Sequence, residues 1–257
     1  KRHIMNFIGI RLALLRGLCG LGFFAFSALA QPTLGPRPIK VVVPVAAGGG
    51  ADQVARLAGE KMSRSLGVPI VVDNRPGGSG SIAAMEVARA TPDGHTLWMA
   101  TMTQLISTTM YQRYMMTKDF MPVGMVGSTP FVIAISSTLP VKNMAEFIAY
   151  AKARPGQVMY GSGGQGSTPH LCMELLQNLA GIKLAHVPYK GTAPALTDVV
   201  AGQVQGVFAN ILSGYPYVKA GRLRALAVSS GKRSSVLPQV PTVAESGVPD
   251  YVTTTWL

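Results

Sequence analysis

The residues best placed to do chemistry in this sequence are glycines. Gly48-Gly49-Gly50 follows the apolar run Ile39-Lys40-Val41-Val42-Val43-Pro44-Val45, and Gly161 to Gly166 follows Val158-Met159-Tyr160. Each cluster then opens into an amphipathic helical pattern. Glycine lets the chain turn sharply and approach a ligand, while the first N–H groups of the following helix stay free to donate. Together with the positive end of the helix dipole they form a seat for an anion without any charged side chain. One such seat in each half of the chain suggests two lobes closing on a small anion. Asp52 stands in the first turn of the first helix, where a carboxylate is favoured as a cap and dipole partner, with a direct ligand role as the alternative. Ser167 reads as the N-cap of the second helix, with Pro169 in its first turn. His170 follows at the positive helix end, where its charged form is disfavoured.

Other chemistries find less support. Gly161-x-Gly163-x-x-Gly166 has dinucleotide-fingerprint spacing, yet the stretch Ile182 to Val187 lacks the acidic residue that would hold a ribose. Gly231-Lys232-Arg233 lacks the surroundings of a P-loop. Ser162 and Ser167 lie among glycines without the Gly-x-Ser-x-Gly elbow, so an α/β hydrolytic enzyme pairing one of them with His170 is the rival reading. No His, Cys, Asp and Glu cluster has metal-ligand spacing. Neither a cofactor nor a metal is expected.

The elements that must position these residues alternate strand and helix almost throughout, which predicts an α/β fold with mainly parallel sheets. Strands are predicted at Val41–Val45, Ile70–Asp73, Thr96–Ala100, Phe131–Ile135, Val158–Tyr160, Leu184–Val187, Val204–Phe208 and Leu223–Val228. Helices are predicted from about Asp52 to Leu66, through Ile82 and Ala88, through Met144 and Ala151, after Ser167 with Leu171, Leu175 and Leu179 buried, and around Leu196–Val200. A short helix start is expected at Thr242–Glu245. The 257 residues, 48% hydrophobic and 13% charged, suffice for two lobes with a sizeable core.

The first thirty residues carry a basic front, an apolar run from Leu18 to Leu29 and the small-x-small ending Ser27-Ala28-Leu29-Ala30, which predicts an export signal cleaved after about Ala30. Removing Lys1, Arg2, Arg11 and Arg16 lowers the formal charge from +12 to +8. Such a surface attracts anions at long range. The basic residues are scattered, without a stripe or interleaved aromatics, so nucleic acid is not an expected partner. Cys172 would then be the one remaining cysteine, on an apolar helix face.

Several stretches together resemble one family. Val43-Pro44-Val45-Ala46-Ala47-Gly48-Gly49-Gly50-Ala51-Asp52, Val72-Asp73-Asn74-Arg75-Pro76-Gly77-Gly78 and Ala90-Thr91-Pro92-Asp93-Gly94-His95 are similar to signatures of the Bug/TctC periplasmic solute-binding proteins, which serve tripartite tricarboxylate transporters. Tyr160 to Ser167 with His170-Leu171, His186-Val187-Pro188-Tyr189-Lys190-Gly191, Ala220-Gly221-Arg222-Leu223-Arg224 and Pro241-Thr242-Val243-Ala244-Glu245 extend the likeness over nearly the whole chain after the leader. The resemblance implies a two-lobed Venus-flytrap fold that grips a small carboxylate, without catalysis, for transfer to membrane components. It implies contacts from Val45, Ala46, Gly48, Gly49 and Asp52 on one lobe and from Ser162, Gly163, Gln165, Gly166, Ser167 and His170 on the other, with Thr101 and Thr103 also lining the cleft.

Three departures stand out. Val45 occupies a place where the family usually has an aromatic residue. Ala209, in Phe208-Ala209-Asn210, replaces a carboxylate that often helps set selectivity, so Ala209 is counted with the ligand-binding positions. Family members also continue past Trp256, which implies an incomplete first lobe and leaves a non-functional copy as an alternative. The resulting expectation is an exported monomer acting in the periplasm, with lobe 1 at 38–129 plus 231–257 and lobe 2 at 130–230.

Overall fold

The computed structural model describes residues 35–257, so the expected signal segment lies outside the described residues. Residues 37–257 form one unit by their contacts. The first sheet is parallel throughout, in the order β2-β1-β3, from β1 (Ile39–Val43), β2 (Ile70–Asn74) and β3 (Thr96–Trp98). Helix α1 (Gly50–Leu66) returns the chain from β1 to β2, and α2 (Ser81–Ala88) carries it from β2 to β3. Val41 and Val43 project from β1 onto Ala51 and Ala55 of α1, the spacing that places side chains of strand and helix on one shared face. Helices α3 (Met102–Tyr111) and α4 (Met116–Asp119) follow.

The second sheet has five strands in the order β7-β6-β8-β5-β9: β5 (Phe131–Ser136), β6 (Met159–Ser162), β7 (Ala185–Pro188), β8 (Gly206–Asn210) and β9 (Leu223–Val228). The strands here run mainly parallel as expected, with one reversed. Strands β6, β7 and β8 are parallel, but β5 runs antiparallel to both β8 and β9. All six residues of β5 are buried, which explains its unbroken apolar run. Its two faces separate cleanly. Phe131, Ile133 and Ile135 meet α5 (Met144–Lys152) and α6 (Thr168–Ala180) through Met144, Phe147, Met173 and Leu176. Ala134 on the other face, with Val207 and Ala209, meets Leu196 and Val199 of α7 (Thr192–Val200). Helix α8 (Ile211–Lys219) follows β8, and short strands β4 (Ser128–Thr129) and β10 (Thr255–Trp256) pair antiparallel. No helix among the described residues is long and apolar enough to cross a membrane.

Helix α6 is rotated relative to its expected phase. Leu171, Leu175 and Leu179 are 40%, 38% and 42% exposed, whereas Cys172, Met173 and Leu176 are buried. The returning chain fixes that choice: Tyr251 donates its hydroxyl to the Cys172 carbonyl at 3.0 Å and is itself fully buried. The chain beyond residue 231 packs largely on this same side. Val243, Val248 and Tyr251 belong to the core of the five-stranded sheet, and Thr242 bridges to Val228. Only the last residues reach the other side, where β10 pairs with β4 and Leu257 joins Val41 and Val43. The expected helix start at Thr242 is a turn, although Thr242 and Glu245 exchange the two hydrogen bonds of a capping box at 2.8 and 3.0 Å.

Candidate functional site

Helix α1 begins at N-cap Gly49, which has no side chain to accept a hydrogen bond. Helical geometry leaves the N–H groups of Gly50, Ala51 and Asp52 without intrahelical acceptors. Glycine at position 50 is a matter of space: a Cβ there would lie 2.6 Å from Cγ of Asn210, the residue that caps α8. Asp52 supports the loop from behind. Its carboxylate accepts from the Gly48 N–H at 2.9 Å, from Asn74 Nδ2 at 2.9 Å and from Arg56 at 2.9 Å. Burial pushes this carboxyl up, but the hydrogen bonds from Arg56, Gly48 and Asn74 outweigh it and hold the group below its usual range.

The start of α6, the expected second seat, has its donors engaged. The Thr168 N–H donates to Thr103 Oγ1 at 3.1 Å, Pro169 has none, and the His170 N–H donates to Ser167 Oγ at 3.4 Å. An uncapped helix start lies nearby instead, at α7. Its N-cap is Gly191, at φ 126°, and no side chain caps it. The Lys190 carbonyl accepts from the Ala46 N–H at 3.3 Å, which draws this turn against the first glycine loop.

These pieces enclose a cavity of about 310 Å³. Of the residues expected to bind, Val45, Gly49, Thr101, Thr103, Gly163, Gln165 and Ser167 line it. Ala46, Gly48, Asp52, Ser162, Gly166, His170 and Ala209 are not part of its wall. Ala209 in particular is fully buried in the cluster against α7, because alternation along β8 turns it away from the face that carries Phe208 and Asn210. A carboxylate's absence at 209 therefore leaves the cavity wall unchanged, and Asn210 is the residue of that strand that faces the ligand space. Sequence reasoning also missed Gly191 and Thr192, Ser79 and Tyr111 as wall residues. The first pair were visible as Gly-x-Ala-Pro, a glycine before a helix with an early proline.

Hydrogen bonds close the cavity's rim. The Gln165 carbonyl accepts from Ser79 Oγ at 2.5 Å and from the Tyr111 hydroxyl at 3.3 Å, and Thr103 Oγ1 lies 3.0 Å from Thr168 Oγ1. Among the described residues lining the cavity there is no Asp or Glu, and Lys190 is the one charged residue. Behind the Gly163 loop, Ser162 Oγ lies 2.6 Å from His186 Nε2. This pair resembles a nucleophile with its base, but Ser162 is fully buried and outside the cavity wall. No group of metal-binding side chains exists among the described residues.

Over residues 54–257 the sequence matches the family described as the tripartite tricarboxylate transporter family receptor, TctC. The chain belongs to the TctC family. It is 36% identical to the protein BugT of Bordetella pertussis over 242 residues, covering 91% of this chain and 74% of BugT. The chain spans about two thirds to three quarters of the length of the curated relatives it matches. Among solved structures it is similar to an R. palustris protein with adipate, at a TM-score of 0.82 and 37% identity over 87% of this chain and 76% of the other. It is also similar to MatC from Rhodopseudomonas palustris with bound malate, at a TM-score of 0.80 and 34% identity over 86% and 76% of the two chains. The TctC chain thus has the mixed α/β, two-lobed architecture of periplasmic binding proteins.

Proposed function

We propose that this TctC protein captures a small carboxylate in the cavity and delivers it, without chemical change, to the membrane components of a tripartite transporter. One observation carries the reading. The cavity is walled by two uncapped helix starts, Gly49–Ala51 and Gly191–Thr192, and has no acidic side chain to repel an anion. Each charge-assisted hydrogen bond from such a donor contributes about 1.5–3 kcal/mol. The adipate and malate held by the two R. palustris relatives are ligands of this class. Action in the periplasm accords with the family, and the protein is taken to act there as a monomer. Lobe 1 centres on the three-stranded sheet and lobe 2 on the five-stranded sheet, and relative movement of the two opens the cleft to let solute in and out.

A melting screen over adipate, malate, succinate and aspartate tests the proposal. A carboxylate present at about a hundred times its Kd adds about 2.7 kcal/mol of stability. That raises Tm by roughly 5–10 °C for a chain of this size. Failure of every carboxylate to shift the melt defeats the reading. Calorimetry then separates succinate from aspartate. With no carboxylate in the wall to pair an ammonium, aspartate is expected to bind about tenfold to a hundredfold more weakly. Equal or tighter binding of aspartate would contradict this account of selectivity.

A further inference from the structure

A buried imidazole, His170, and a half-buried one, His186, stand directly behind the Gly163–Gly166 loop, outside the cavity wall. His186, on β7, is sandwiched between Tyr160 of β6 and His170 of α6, with ring centroids 5.0 and 4.0 Å away and both pairs stacked. Each histidine holds a different amide of the loop. His170 Nδ1 accepts the Gly166 N–H at 3.1 Å. His186 Nε2 meets Ser162 Oγ, and that oxygen accepts the Gly164 N–H at 3.2 Å. The remaining loop amides, Gly163 and Gln165, have no acceptor among the described residues, and both residues line the cavity. Two amides are thus anchored inward while two are left for a ligand.

We propose that His170 and His186 are positioning residues: as neutral rings they hold the Gly163–Gly166 loop in its ligand-competent shape, and protonation of His170 releases it. The step rests on one lone pair. Because the Gly166 N–H is a donor, Nδ1 of His170 must be unprotonated, and its proton sits on Nε2, 3.8 Å from Glu174 Oε1. A second proton, added at Nδ1, leaves the Gly166 N–H facing another N–H, and the bond is lost. The ionisable groups facing the pair are Glu174 of the same helix, which favours a charged ring, and the Tyr160 hydroxyl, which donates to Glu174 at 2.8 Å. Burial outweighs Glu174. It lowers the pKa of His170, and burial together with His170 brings that of His186 down to about 4. Both rings are therefore neutral near pH 7, and the His170 anchor is lost as pH falls below the ordinary histidine range.

The inference extends the carboxylate reading, so its test includes a measurement that needs no ligand. Glycine-selective 15N labelling follows the Gly164 and Gly166 amides of the free protein from pH 7.5 to 4.5. In the wild type the Gly166 cross-peak should shift together with the His170 ring, while that of Gly164, tied through Ser162 to His186, should move only toward the acid end of the range. In His170→Asn, whose Oδ1 can accept the same N–H but cannot titrate, the Gly166 shift with pH should vanish. Adipate and malate binding is then measured in both proteins and in His170→Leu. His170→Asn should stay within about threefold of wild type at pH 7.5 and should lose less affinity on acidification. His170→Leu should lose about tenfold at pH 7.5, the worth of one anchoring hydrogen bond. Comparing variants on the same ligand cancels the ligand's own titration. Glycine cross-peaks that ignore pH, or that are unaltered in His170→Leu, overturn the proposal. If no carboxylate binds any of the proteins, the cross-peaks still decide it.

Discussion

Alanine at Gly191 is expected to weaken carboxylate binding by about thirtyfold to a thousandfold, from strain and displaced donors worth roughly 2–4 kcal/mol. Gly191 lies at φ 126°, a region side chains scarcely enter, and an added Cβ would sit 3.1 Å from the backbone nitrogen of Ala46. That neighbour cannot swing aside, so the start of α7 must shift and take the N–H groups of Thr192 and Ala193 with it. Calorimetry with adipate measures the loss. Gly181→Ala supplies the control, because Gly181 ends α6 in a left-handed turn with nothing within 4 Å of its missing Cβ. It should cost about 1 kcal/mol of stability and leave affinity alone. Equal affinities for the two variants would remove the α7 terminus from the binding site.

Phe208→Ala should destabilise the protein by about 3–5 kcal/mol, the usual cost of emptying a large buried ring position. Phe208 is fully buried on β8, between its neighbours β6 and β5, with the Phe131 ring 5.0 Å away. Scanning calorimetry should register a Tm lower by roughly 6–20 °C. Affinity should fall as well, since Asn210 lies two residues along the same strand face and lines the cavity. A melt within 2 °C of wild type would mean that this face tolerates a void and that the site is not built on it.

Much of this architecture could be read from residue order. Runs such as Ile39–Val43 and Leu223–Val228 carry enough β-branched and apolar residues to declare themselves, and Gly48-Gly49-Gly50 marks its turn without ambiguity. The family likeness extended that reading to a two-lobed carboxylate binder. What escaped was decided by distant contacts. Helix α6 offers two apolar stripes, and only Tyr251, 79 positions away in sequence, selects Cys172 and Leu176 over the leucines. Helix α3 is rich in threonine and other weak helix formers, so its start depends on the capping box of Thr101 and Gln104. Helix α8 contains Gly214 and Pro216, residues that argue against a helix when read alone. The placement of Ala209 away from the cavity follows from strand alternation, but only once the register of β8 on β5 is known. The stacking of His170 on His186 joins two elements that no local spacing connects.

The helix starts that wall the cavity have a kinetic corollary. Counterions can mask the net positive charge of the whole chain, and thereby slow the arrival of an anion from solution. They cannot screen peptide dipoles enclosed with the solute and out of contact with bulk electrolyte. Ionic strength should consequently govern how often a solute is caught, while the time it stays is set by the fixed geometry of Gly49–Ala51 and Gly191–Thr192.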